Sequence, residues 1–76
     1  MKLTPIKPKE MVRILEKNGF SIRKQTGSHV ILFKKGIRRP ISVAMHPRDL
    51  PSGTQRAILR QAEISLEGFN RLSKSK

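Results

Sequence analysis

Two histidines, His29 and His46, lie in a stretch from Lys17 to Arg48 that holds eight Lys or Arg and no Asp or Glu. His29 follows the turn-like run Thr26-Gly27-Ser28. An imidazole can take or give a proton near neutral pH, and a field of cations attracts phosphate. These residue types together suit proton transfer at a phosphate ester, the chemistry that cuts RNA. Without a metal, that chemistry needs a base for the ribose 2′-hydroxyl, an acid for the leaving oxygen, and positive charge around the crowded phosphate. His29 can supply one proton-transfer role. Arg23, Lys24, Ser28 and the backbone amides after Gly27 can supply charge and hydrogen bonds, and Lys34, Lys35, Arg38 and Arg39 extend the basic field. His46 is either a second proton carrier or a loop residue that contacts RNA; the spacing leaves open which histidine would be base and which acid.

Rival chemistries find less support. The acidic residues Glu10, Glu16, Asp49, Glu63 and Glu67 are scattered, and no two are spaced to share a magnesium ion. His29 and His46 alone are too few ligands for zinc. Five dispersed glycines match no phosphate-binding loop. Neither a metal nor another cofactor is expected.

These side chains must be positioned by a small scaffold. A chain of 76 residues makes one domain, here expected over 1–76 with a core of about 8–72, and should bury only about 60% of its unfolded surface. An active site in it must be a shallow groove, which suits a polymer better than an enclosed small molecule. The net charge of +12, from 17 Lys and Arg against five Asp and Glu, favours a polyanionic partner, nucleic acid before a membrane surface. A membrane binder would want one basic amphipathic helix, whereas these charges are spread over expected strands, turns and helices. The absence of cysteine removes disulfide and thiolate metal sites. The start Met1-Lys2-Leu3-Thr4-Pro5 lacks the apolar core of a signal peptide, and all apolar runs are too short to span a membrane, so a cytoplasmic protein is expected.

Thr4 to Pro8 reads as an extended lead-in with Pro8 at a helix start. Met11, Ile14 and Leu15 recur at helical spacing over about Lys9 to Lys17, and Asn18-Gly19 stops that helix. Phe20 and Ile22 alternate with Ser21 and Arg23 as in a strand with one buried face. Thr26-Gly27 turns the chain into a second strand, His29 to Lys34. Lys35 to Arg39 is a basic loop, and Ile41, Val43 and Met45 mark the buried side of a third strand that opens at Pro40. Ser52 is expected to cap a helix to about Ala62 with Ala57, Ile58 and Gln61 or Ala62 facing inward, and Ser65 a short helix carrying Leu66, Phe69 and Leu72. The tail Ser73 to Lys76 should be disordered. The expected fold is α+β: a three-stranded antiparallel meander with helices on one face and the other face wet. That α-β-β-β-α order resembles the double-stranded-RNA-binding domain. In the meander, His29 at the start of strand two should meet Lys24 from strand one and Met45-His46 from strand three, with the Ser52 helix start close by as a seat for phosphate. Phe20, Phe33 and Phe69 fall in apolar rhythms and are expected in the core; with no Trp or Tyr, contact with RNA should be chiefly through phosphate and sugar rather than stacked bases.

The succession Asn18-Gly19-Phe20, Arg23, Gly27-Ser28-His29, Ile41-Ser42-Val43 with His46, and Gly53-Thr54-Gln55-Arg56-Ala57-Ile58-Leu59-Arg60-Gln61-Ala62 resembles the HicA (YcfA-like) toxins of type II toxin-antitoxin systems, over residues 8 to 70. The resemblance implies a double-stranded-RNA-binding-like fold and an endoribonuclease that cuts messenger RNA independently of the ribosome, with its catalytic histidine at His29. It also implies a HicB-type antitoxin partner that covers the site. Two positions depart from the family: Ala44 stands where Pro is usual, and Gln55 where Leu is common. The charge and motifs alone also suit a non-catalytic RNA-binding module of the same fold, or a structural partner for an acidic protein.

Overall fold

The computed structural model describes residues 4–74. Helix α1, Pro8–Lys17, forms where the apolar stripe lies: Met11, Val12, Ile14 and Leu15 are buried, and Pro8 opens the first turn, where its missing N–H is no loss. The helix ends in a Schellman motif. The Phe20 N–H donates to the Leu15 carbonyl at 3.0 Å and the Gly19 N–H to the Glu16 carbonyl at 3.1 Å, with Gly19 at φ +95°. Glycine takes this left-handed geometry without a Cβ penalty. The turn delivers Phe20 into the core and the chain into the sheet.

Strands β1 (Ser21–Gln25), β2 (His29–Phe33) and β3 (Ile41–Ala44) form an antiparallel sheet in the order β1-β2-β3. The period-2 rule is obeyed in β2 and β3: Val30, Leu32, Ile41 and Val43 are buried toward the helices, while His29 and Ser42 are exposed. It fails in β1. Every residue there is exposed, and Ile22, expected on the buried face, is 42% exposed. The strand is an edge, and between it and α1 an open groove of about 370 Å³ remains, lined by Val12, Glu16, Ile22 and Gln25 among others.

Helix α2, Ser52–Gln61, differs in detail from its expected form. Ser52 is its first residue, not its cap; Pro51 occupies the cap position, where no side chain can bond the first amides. Ala57 and Gln61 are exposed, and the inward face is Gln55, Ile58, Leu59 and Ala62. A second Schellman motif closes the helix, Ile64 N–H to Leu59 carbonyl at 2.9 Å and Glu63 N–H to Arg60 carbonyl at 3.1 Å, here with Glu63 at φ +59°. Ser65 caps α3, Leu66–Lys74, by accepting from the Gly68 N–H at 3.0 Å. Phe69 is fully buried, with Leu66 and Leu72 half-buried beside it. Ser73 and Lys74, expected in the tail, are the last residues of α3, and residues 75–76 lie outside the described residues.

The core joins α1, the inner face of β2 and β3, and Ile58, Leu59 and Phe69. The fold is therefore α+β, with helices on one side of the sheet. The N-terminal lead-in is tied down from below: the Leu50 N–H donates to the Ile6 carbonyl at 2.9 Å, and Gln55 Nε2 donates to the Thr4 carbonyl at 2.6 Å. Among the described residues no helix is long and apolar enough to cross a membrane.

Candidate active site

The β1–β2 turn is short and heavily bonded. The Thr26 N–H donates to the His29 carbonyl at 2.8 Å, and the His29 N–H donates to Thr26 Oγ1 at 3.1 Å. From the other side, the Met45 N–H donates to the Ser28 carbonyl at 2.7 Å. His29 therefore opens the central strand on a backbone fixed from both neighbours, with its side chain exposed. Its Nδ1 meets Ser28 Oγ at 3.1 Å. With Nδ1 so occupied, Nε2 is the ring nitrogen left to face a substrate. Gly27 has nothing within 4 Å of where a Cβ would stand, so its backbone is open to close approach by a ligand.

Strand pairing assigns the faces. Directly paired residues of an antiparallel ladder share a face, and alternate residues of one strand do too. His29, Ile31 and Phe33 therefore lie on the open face, with Ala44 opposite His29 and Lys24 opposite Ile31. In a regular strand Arg23 would point the other way from Lys24. The register shift between Ile22 and Lys24 makes Arg23 an extra residue, so that Arg23 and Lys24 together face Ile31. The Arg23 guanidinium lies 4.8 Å from the centroid of the Phe33 ring, which fixes its side chain on the same open face. Two adjacent cations thus flank the strand that carries His29.

This geometry corrects one expectation about the aromatics. Phe20 and Phe69 are core, but Phe33 is half-buried on the open face, outside the core, because position 33 shares the parity of His29 and not that of Leu32.

The remaining cations separate into two groups. Lys34 turns to the helix side, its Nζ 5.7 Å from the Phe20 ring centroid and its chain against Gly19. Lys35, Arg38 and Arg39 are exposed on the β2–β3 connection. All four lie at the end of β2 opposite His29, about 13 Å or more along the strand. His46 stands two residues past Ala44, at the His29 end of the sheet, and lines a hollow of about 460 Å³ with Lys7, Lys9, Met45 and Pro47. Lys7 and Lys9 carry no signal in the sequence that would join them to this group; a lead-in that folds back beside the end of β3 is a long-range contact with no local pattern. The start of α2, expected as a phosphate seat near His29, is bound to the lead-in through Gln55 and Leu50.

Among the described residues no three of His, Cys, Asp and Glu gather to hold a metal ion. The arrangement offers an exposed imidazole on a rigid turn, an open glycine backbone, and cations on the same face.

No curated protein matches the chain. The model of a family described as the HicA toxin of bacterial toxin-antitoxin systems matches residues 8–64, which span α1 through the end of α2 and include the whole sheet and the Thr26 to His29 turn. With most of its length matched, the chain belongs to the HicA toxin family of bacterial toxin-antitoxin systems.

Proposed function

We propose that the protein is a toxin endoribonuclease that cleaves messenger RNA independently of the ribosome and without a metal, with His29 as its catalytic residue, and that a HicB-type antitoxin neutralises it. The observation that carries this reading is the exposed His29 ring on a backbone clamped by Thr26, on the same face as Arg23 and Lys24. Family membership supports the ribonuclease class and implies an antitoxin partner.

Cleavage proceeds by attack of the ribose 2′-oxygen on the adjacent phosphorus. The 2′-hydroxyl loses its proton to a base, the 2′-oxygen–phosphorus bond forms, and the bond to the 5′-oxygen breaks as an acid protonates it. The products are a 2′,3′-cyclic phosphate and a free 5′-hydroxyl. Nε2 of His29 takes one of the proton transfers, and Ser28 Oγ, at 3.1 Å from Nδ1, holds the ring in orientation. Lys24 and the amides around Gly27 neutralise the charge that builds on the phosphate, and Arg23, held over the Phe33 ring, binds the RNA backbone on the same face. His46, with Lys7 and Lys9, holds the RNA backbone beside the site, while Lys34, Lys35, Arg38 and Arg39 attract it at the far end of the strand.

Expression of the wild type and of His29→Ala separately in bacteria without antitoxin tests the reading, with growth and total RNA followed. Arrest and RNA decay are expected from the wild type alone; equal effects from both would sink the assignment of His29. The purified wild type should cut RNA in the presence of chelator. Tight, salt-sensitive binding with no products would favour a non-catalytic RNA-binding module instead.

A further inference from the structure

The open face carries two large apolar side chains where a wet face calls for polar ones. Ile31 and Phe33 are both half-buried there, on the strand that begins with His29. Neither belongs to the buried core. What lies over the Phe33 ring is the guanidinium of Arg23, an exposed and flexible side chain, brought to this face by the irregular pairing of β1. None of the residues that strand pairing assigns to this face is acidic. An aromatic ring with a movable cation over it, on a face that carries cations and no carboxylate, is the arrangement that unpaired bases favour.

We infer that Phe33 is a base-stacking subsite: it receives a nucleobase of single-stranded RNA a few nucleotides from the bond held at His29, and Arg23 moves from the ring to a neighbouring phosphate as the base arrives. The exchange is favourable because an exposed cation–π contact is weaker than a base–aromatic stack, and because the displaced guanidinium gains a charge-assisted bond to phosphate. Phe33 lies about 13 Å from His29 along β2, so it grips the substrate away from the reacting bond. It is a positioning and selecting residue, not a catalytic one. The subsite requires an unpaired base, since a duplex keeps its bases stacked on each other. This inference rests on the ribonuclease reading for its choice of ligand but not for its test.

The test uses the full chain carrying His29→Ala, so that RNA stays intact, and two probes: a short oligouridylate, and inorganic polyphosphate as a polyanion without bases. Adding Phe33→Leu should weaken binding of oligouridylate roughly tenfold, the worth of about one stacked base, and leave binding of polyphosphate unchanged. The chain has no Trp, so Phe33→Trp introduces a single indole reporter. Its emission should be quenched by oligouridylate and not by polyphosphate. Undiminished oligouridylate affinity in a folded Phe33→Leu chain, or equal losses for both probes, would overturn the subsite, as would an indole indifferent to RNA. An effect confined to antitoxin binding would also overturn it and make Phe33 a protein contact. Cleavage by the His29-containing chain is read separately, so the ribonuclease assignment can fail while the stacking result stands, and the reverse.

Discussion

Thr26 Oγ1 both accepts from the His29 N–H, at 3.1 Å, and donates to the His29 carbonyl, at 3.2 Å. One hydroxyl thus holds both the N–H and the carbonyl of His29, and the Thr26 N–H adds a second bond to that carbonyl at 2.8 Å. Such a turn has its geometry set before any substrate arrives, which is what proton transfer over a fixed distance requires.

Replacement of Thr26 by Val, nearly the same shape without the hydroxyl, is therefore expected to slow RNA cleavage between about ten- and a hundredfold. The effect on unfolding free energy should stay near about 1 kcal/mol, since water can reach the exposed groups left behind. RNA affinity should be little changed, and Thr26→Ser should restore the rate. Initial cleavage rates set against RNA titrations check this; a Val variant with wild-type rate would remove Thr26 from its positioning role.

Gln55 is fully buried, yet only its Nε2 has a partner; Oε1 has none. A buried acceptor without a hydrogen bond costs about 1–3 kcal/mol. Gln55→Leu removes it while filling much the same space, and the Thr4 carbonyl it releases lies on an exposed segment. The Leu variant should be more stable by about 1 kcal/mol, and Gln55→Ala less stable by about 2 kcal/mol through the cavity it opens. Urea denaturation of the three proteins decides, and a Leu variant weaker than the wild type would refute the account.

The two Schellman turns make a matched pair of opposite predictions. Gly19 at φ +95° is suited to its place, with Lys34 Cε 3.4 Å from where a Cβ would stand; Glu63 holds the equivalent place after α2 at φ +59° with a side chain that disfavours it. Gly19→Ala should destabilise by about 1 kcal/mol or more, and Glu63→Gly should stabilise by up to about 1 kcal/mol. Gly27→Ala, with open space around it and no left-handed φ, should change stability by less than about 0.5 kcal/mol. Thermal melts of the three variants test the ranking.

Lys24 on β1 faces the middle of β2, two residues from His29, whereas Arg38 lies on the connection beyond the far end of β2, and their removal should be told apart by kinetics. Each alanine variant should flatten the logarithmic salt dependence of RNA binding by about 0.7, the share of a single phosphate neutralised on a single strand. Only Lys24→Ala should also lower the cleavage rate at saturating RNA, because only Lys24 stands near the reacting phosphate. Equal rate losses would place the cleaved bond elsewhere.

Much of the scaffold is readable from local pattern. The spacing of Met11, Ile14 and Leu15 marks α1, the alternation through Val30 and Leu32 marks β2, and Ser65 announces α3, because each signal is carried by residues a few places apart. The differences arise where distant parts of the chain decide. Ile22 obeys the strand rhythm yet stays exposed because α1 leaves a groove over the sheet edge. Phe33 follows an apolar run, but the register turns it outward. Gln55 points inward because the Thr4 carbonyl meets it from 51 residues away. For the candidate site, the meander alone brings Lys24 to the strand that carries His29, but the register sets it opposite Ile31, two residues further along; Arg23's side of the sheet depends on one unpaired residue, and the approach of Lys7 and Lys9 to His46 depends on the path of the whole chain.

The same extra residue at Arg23 has an effect on solution behaviour. β1 presents an uncovered outer rail of backbone amides and carbonyls, a standing invitation for a neighbouring molecule to continue the sheet. The kink that an irregular pair imposes breaks the straight run such docking needs, and the twin cations repel a second molecule as basic as the first. In a chain this small and this charged, both features work against edge-to-edge polymerisation.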